Sequence, residues 1–278
     1  MRAKLADGEP ASFAGQEDTV NKAVFIAWRG GGEDRGHWSP VARLEHLDGE
    51  YCFVYTRGAR MLPGFRPFPG MPDLEEVYCS ETLFPLLANR LLARSRPEYQ
   101  AWLRWSDFDP ADPPDPLAIL GVTEGIRQTD ALEVFPRPVP DAQGRYHSRF
   151  FLHGLRHASE AARARIAEMR PHDRLEIEVE YDNPFDPRAV AVLTNGQERL
   201  KLGYVPRYLA RDVRGLIAAH GFGAIDVHVV RVNSSAPLQM RLLCSLTTPW
   251  PADFEPCTGE DFVPLADEQV LEMAASGA

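Results

Sequence analysis

Between residues 23 and 55 short apolar runs alternate with turn residues. Ala23-Val24-Phe25-Ile26-Ala27-Trp28 reads as a buried strand and Gly30-Gly31-Gly32 as a turn. Val41 to Leu44 and Tyr51-Cys52-Phe53-Val54-Tyr55 read as two further strands around Asp48-Gly49, so a small antiparallel sheet is expected. Proline and glycine dominate 62–73, after which Leu83, Phe84, Leu87, Leu91 and Leu92 fall at helical spacing and predict a helix over 81–92. A second helix is predicted over 97–105, with Ser95 as its cap and Pro97 in its first turn. The prolines from Asp109 to Pro116 forbid regular structure; a short helix over 117–121 and a closing strand over 132–135 follow. Pro136 to Gly144 reads as a linker.

The pattern then changes. Phe150-Phe151-Leu152 predicts a strand and 158–169 a helix, and Leu175-Glu176-Ile177-Glu178-Val179-Glu180 alternates apolar with acidic as a half-buried strand does. Strands over 189–193 and 200–205, a helix over 208–219 and strands over 225–232 and 240–246 complete the count. Six strands with two helices predict a small, partly open β-barrel, so the fold class is α+β. The chain divides into a disordered N-terminus (1–20), an α+β unit (21–138), the barrel (145–248) and an acidic tail (249–278). Trp250, Phe254 and Phe262 stand among the tail's carboxylates, so part of the tail is expected to dock on the body.

Composition narrows the class. The 278 residues are 44% hydrophobic and carry a formal charge of −10, which suits two globular domains and excludes collagen-like, wholly disordered and disulfide-scaffold proteins. The acidic average also excludes non-specific coating of nucleic acid by bulk positive charge. Cys52, Cys79, Cys244 and Cys257 form no C-x-x-C pair, so free cytosolic thiols are expected. No apolar run approaches the ~20 residues needed to cross a bilayer, and no apolar stretch follows the early Arg2 and Lys4; a cytoplasmic protein without a membrane partner is expected.

Three clusters carry candidate chemistry: His153-Gly154-Leu155-Arg156-His157, Asp182-Asn183-Pro184-Phe185-Asp186-Pro187-Arg188 and Leu202-Gly203-Tyr204-Val205-Pro206-Arg207. Each lies at a strand end. Asn183-Pro184 breaks its strand, Asp186 is placed to accept from nearby backbone amides as an Asx turn, and the ring of Phe185 is left at the lip. Arg156 and Arg207 beside the rings of His157, Phe185 and Tyr204 are what a single-strand binder needs, since bases stack on aromatic faces and guanidinium groups clamp phosphates. A turn network in which Asp186 caps a loop and Phe185 fills a core accounts for the same residues.

In order and spacing these clusters, with N-P-x-D-x-x-A-V followed by G-Y-V-P-R, resemble the HIRAN domain over about 145–235. That domain occurs alone in bacterial proteins and at the N-terminus of certain fork-remodelling ATPases. The resemblance implies a small barrel of the OB or SH3 kind that captures the 3′ end of single-stranded DNA by its terminal hydroxyl and adjacent phosphates. Arg156 then matches the family's first-cluster arginine, and His157 falls where DNA-binding members have a tyrosine that stacks on a base. Asn183, Phe185 and Asp186 match the second cluster; Phe185 replaces another tyrosine and Asp186 supplies the carboxylate for the 3′ hydroxyl. Tyr204 stands where a histidine is usual, and Arg207 where a phosphate-binding lysine is.

Charge distribution fits that implication. Residues 145–235 hold 14 Arg+Lys and 11 Asp+Glu, net +3, which leaves −13 on the rest of the chain.

Residues 23–138 are similar to the small N-terminal subdomain of HipA-type toxin kinases, on the three-stranded start, Phe53 and Tyr55, the proline-rich loop, the Leu83 to Leu92 segment and the closing strand Val134-Phe135-Pro136. This implies a protein partner through 21–138, because that subdomain is an accessory contact unit; structural support for the barrel is the other reading. The kinase core is absent, and no phosphate-binding, nucleophile or metal-ligand signature stands in its proper context, so no enzyme, cofactor or metal is expected. The Glu176-Glu178-Glu180 row reads as a solvent face. The functional expectation is a non-enzymatic module holding single-stranded 3′ ends, with a protein-interaction adaptor of a toxin–antitoxin or defence system as the alternative.

Overall fold

The computed structural model describes residues 23–29, 38–47, 49–127 and 131–266. The expected turn at 30–32, Asp48, the N-terminus (1–20) and the last part of the tail (267–278) lie outside them.

The N-terminal sheet holds β1 (Ala23–Arg29), β2 (Trp38–Leu47), β3 (Glu50–Tyr55), β4 (Tyr78–Ser80) and β5 (Leu132–Pro136), all antiparallel, in the order β4-β3-β2-β1-β5. β1 explains its own continuous apolar run. Val24 and Ile26 face a core with Leu44, Phe53, Tyr55, Leu120 and Val134, while Phe25 and Ala27 face the opposite core with the second sheet. A strand buried on both faces has no polar side to alternate. β4 has no such pattern, and it brings Cys79 opposite Cys52 of β3 with Cα atoms 4.2 Å apart. The two form a disulfide, which corrects the expectation of four free thiols; Cys244 and Cys257 stay reduced. The pairing follows from strand register across a separation of 27 residues, which cysteine spacing does not reveal.

The helices are shorter than their patterns. In place of one helix over 81–92 there is α2 (Pro85–Ala88), preceded by α1 (Arg57–Met61). The chain leaves α2 at Asn89, where Arg90 turns inward, 8% exposed, and donates from Nη1 to the Gly125 carbonyl at 2.7 Å. A tertiary bond outweighs local propensity there. α3 (Tyr99–Trp105) starts after Glu98 and takes no cap from Ser95. α4 (Pro116–Thr123) has Pro116 in its first turn and Asp115 as its cap, its carboxylate accepting from the Leu117 amide at 2.7 Å.

The second sheet comprises β6 (Arg145–Phe151), β7 (Arg174–Val179), β8 (Val190–Thr194), β9 (Lys201–Tyr204), β10 (Asp226–Val232) and β11 (Leu242–Pro249), in the order β6-β11-β10-β7-β8-β9. It curls until its two edges meet: just past β6, His153 exchanges two backbone hydrogen bonds of 2.9 Å with Tyr204 of β9. Six antiparallel strands thus make the expected partly open barrel within an α+β molecule. α5 (Glu160–Glu168), capped by Ser159, and α6 (Arg207–His220) flank it.

The buried face of α6 joins the two sheets. Tyr208 stacks on Phe135 of β5 at 4.8 Å between ring centroids, and Phe262 of the tail meets Phe25 edge-on at 4.9 Å. The barrel core and one face of the N-terminal sheet are therefore continuous, although 137–144 connect β5 to β6 without regular structure. The tail crosses this junction as a strap: Phe254 packs on Tyr146, Asp261 pairs with Arg211, and the Leu265 amide bonds the Tyr55 carbonyl.

Candidate nucleic-acid interface

Barrel closure depends on two glycines of the sequence clusters. Gly154 has φ +76°, and a Cβ on it would come within 2.9 Å of the Tyr204 ring. At Gly203 a Cβ would meet the His153 carbonyl oxygen at 2.4 Å. The edges approach closely enough to bond because both positions lack side chains. Closure places the first and third clusters side by side, with Arg156 and His157 on an exposed helical turn just past Gly154. There Arg156 Nε donates to His157 Nε2 at 2.8 Å.

The second cluster projects from the end of β7. Asn183 Oδ1 accepts from the backbone amides of both Phe185 and Asp186 at 3.0 Å, so the Asx turn is centred on Asn183. Asp186 extends it by accepting from the Arg188 amide at 2.9 Å through Oδ1. Its other oxygen faces Arg207 Nε at 3.3 Å, and Arg207 Nη2 donates to the Phe185 carbonyl at 2.8 Å. Arg207 at the start of α6 therefore clamps the loop from behind. The Phe185 ring is left 83% exposed, and Tyr181, with Arg214 over its face at 5.2 Å, is 76% exposed. A core role for Phe185 does not fit that exposure.

Glu180, which the sequence assigns to a solvent face with Glu176 and Glu178, ties the clusters together. Its Oε2 accepts from Asn183 Nδ2 at 2.8 Å and from the Tyr204 hydroxyl at 3.1 Å, and its Oε1 accepts from Lys201 Nζ at 2.7 Å. Burial pushes the carboxyl upward, but the bonds from Lys201, Asn183 and Tyr204 outweigh it and hold the group below its usual range. The Lys201 ammonium is in turn held above its ordinary value by its bonds to Glu180 and, at 3.1 Å, to the Tyr204 hydroxyl. Glu176 and Glu178 pair instead with Arg199. No local pattern separates Glu180 from Glu176 and Glu178, since its partners Lys201 and Tyr204 stand on β9.

Hydrogen bonds thus connect Asn183, Phe185, Asp186, Tyr204 and Arg207, while Arg156 and His157 join through Gly154 against Tyr204. Behind this surface, buried Glu124 in the left-handed conformation at the end of α4 faces His153 Nε2 at 2.8 Å and accepts from the Tyr208 hydroxyl at 3.2 Å. Burial pulls the His153 pKa down, and the Glu124 charge and hydrogen bond raise it above the ordinary histidine value. Among the described residues, potential metal ligands gather at Glu50, Cys52 and Cys79, of which the cysteines are the disulfide pair.

Comparison with known proteins identifies the barrel. A family model for the HIRAN domain matches residues 146–250. A protein from Lactobacillus plantarum of known crystal structure aligns at 18% identity over 38% of this chain and 99% of its own, with a TM-score of 0.28. The HIRAN domain of human HLTF aligns at 16% identity over 38% of this chain and 80% of its own, also with a TM-score of 0.28. No curated protein matches the chain.

Proposed function

We propose that the HIRAN domain of this protein captures the 3′ ends of single-stranded DNA without catalysing a reaction on them. The observation that carries the reading is the exposed Phe185 ring on a loop held rigid by Asn183 and clamped by Arg207. An aromatic side chain carried on an ordered backbone needs less ordering when a base stacks on it than one on a mobile loop. In this reading Phe185 and His157 stack the terminal bases, Asp186 accepts the 3′ hydroxyl, and Arg156 and Arg207 contact the adjacent phosphates. Asn183 and Tyr204 position the loop and the barrel edge. Residues 21–138 are the partner-recruiting or regulatory unit, in keeping with their resemblance to the HipA N-terminal subdomain. Among the described residues no helix is long and apolar enough to cross a membrane.

The test is fluorescence anisotropy with labelled oligonucleotides ending in a 3′ hydroxyl, a 3′ phosphate or a blocked 3′ end. The 3′-hydroxyl strand is expected to bind tightest, and Phe185→Ala to weaken it by about 1–3 kcal/mol. Equal affinity for hydroxyl and phosphate ends removes the terminal-hydroxyl role of Asp186. No binding at low salt, with one stoichiometric protein recovered on an affinity column, replaces the reading with that of an adaptor.

A further inference from the structure

A second site lies outside the barrel. A cleft of about 500 Å³ opens between α2, α3 and α4, within the size range of small-molecule sites. Arg94, Arg96 and Arg127 reach it, Tyr99 and Trp102 form one wall, and Ile119 contributes apolar surface. Its described lining includes no aspartate or glutamate, in a molecule whose net charge is −10. All three arginines are solvent-exposed, whereas the nearby Arg90 is buried against Gly125. The Tyr99 and Trp102 rings lie 6.1 Å apart and tilted by 41°, so the two rings are not stacked face to face on one another. Trp102 is anchored from behind, packing with Leu103, Phe151 and Met240 where α3 meets the barrel.

Guanidinium groups beside a fixed aromatic wall select a ligand that is anionic at one end and planar at the other. We propose that this cleft binds a nucleotide unit, with the base against Trp102 and Tyr99 and the phosphate on Arg94, Arg96 and Arg127. The site is distinct from the barrel loops and does not rest on their reading. Trp102 also lines a smaller cavity of about 60 Å³ that reaches Glu124, the partner of His153 beneath the barrel edge. The unit is either a free nucleotide or part of a strand that continues past the barrel.

The experiment uses the full chain carrying His157→Ala and Phe185→Ala, which together remove both stacking side chains proposed at the barrel loops. Calorimetric titration with deoxyadenosine 5′-monophosphate is expected to show one site, with deoxyadenosine and inorganic phosphate each weaker by about tenfold or more, the size of one lost stacking or phosphate contact. Arg94→Glu with Arg96→Glu abolishes that binding without lowering the unfolding temperature, and Trp102→Phe weakens it severalfold. In the parent background, 3′-hydroxyl oligonucleotides of increasing length separate the sources. If affinity grows with length and the double arginine variant removes that growth, the strand is the ligand; if length has no effect while the mononucleotide binds, the free nucleotide is. Nucleotide binding that survives the double variant, or no binding of mononucleotide together with no length dependence, overturns the site. Loss of short-oligonucleotide binding with the cleft intact would instead strike the barrel reading alone.

Discussion

Asn183 makes three of the hydrogen bonds on which the loop after β7 depends, two through Oδ1 to the Phe185 and Asp186 amides and one through Nδ2 to Glu180. Replacing it by alanine leaves the Phe185 ring in place but frees the backbone beneath it. Asn183→Ala is expected to weaken strand binding by about 1 kcal/mol through lost order, with little effect on the melting temperature, because the loop is largely exposed. Anisotropy and thermal unfolding on one preparation check both halves; a large fall in stability with unchanged affinity would make the Asx turn purely structural. The residues of this loop are legible in the sequence because Asn-Pro and Asp-Pro are local signals. Glu180 is not, because its role is fixed by Lys201 and Tyr204 from another strand, and period-two alternation assigns the whole acidic row to solvent.

At the scale of elements, the barrel closes over one residue pair, and the glycines of H-G-L-R-H and G-Y-V-P-R admit it. Gly203→Ala puts a methyl group against the His153 carbonyl and is expected to cost about 1–3 kcal/mol by the overpacking it forces. Denaturant unfolding measures that cost, and no loss would mean that the edges close without close backbone approach. α6 carries a second consequence. Asp212 on its buried face accepts from the Tyr146 hydroxyl at 3.2 Å, and burial pushes its carboxyl up to about 7, against the lowering effects of Tyr146 and Arg211. A carboxyl with a raised folded-state pKa binds its proton more tightly in the folded than in the unfolded chain. The stability it contributes is full below an unfolded value of about 4 and is lost as pH climbs towards about 7. Asp212→Asn, which keeps an oxygen acceptor for Tyr146, is expected to flatten that slope and to unfold at a higher temperature than the parent above neutral pH. Parallel slopes for the two proteins would place the pH dependence elsewhere. The amphipathic pattern announces α6, but it does not identify Asp212 as buried, since the apolar neighbours that cover it arrive from β6 and the strap.

For the whole molecule, the presence of two antiparallel sheets is legible as a change of pattern near 137–144, and their fusion through one core is not. The shared core consists of single aromatic residues from distant segments, Phe25, Phe135, Tyr208 and Phe262, each of which reads as ordinary core within its own element. The acidic tail shows why. Its carboxylates invite the idea of a strand mimic over the basic loops, yet the strap up to Ala266 is held on the junction by Phe262 and by Asp261 against Arg211. Phe262 is 8% exposed and contacts rings from β1 and β5, so Phe262→Ala is expected to cost about 3–5 kcal/mol and to lower the unfolding temperature of both sheets together. Two resolved transitions in calorimetry, with only one moved by the substitution, would show that the junction does not couple the units. The −13 carried outside residues 145–235 acts on binding at longer range. Salt screens the repulsion between that acidic body and a strand, so the loss of affinity with rising salt comes from the few guanidinium–phosphate contacts, and neutralising Arg207 or Arg156 should each reduce the slope of log K against log salt by about 0.7, the value for one phosphate contact on a single strand. An unchanged slope for either variant would assign that arginine to the loop scaffold rather than to the phosphates.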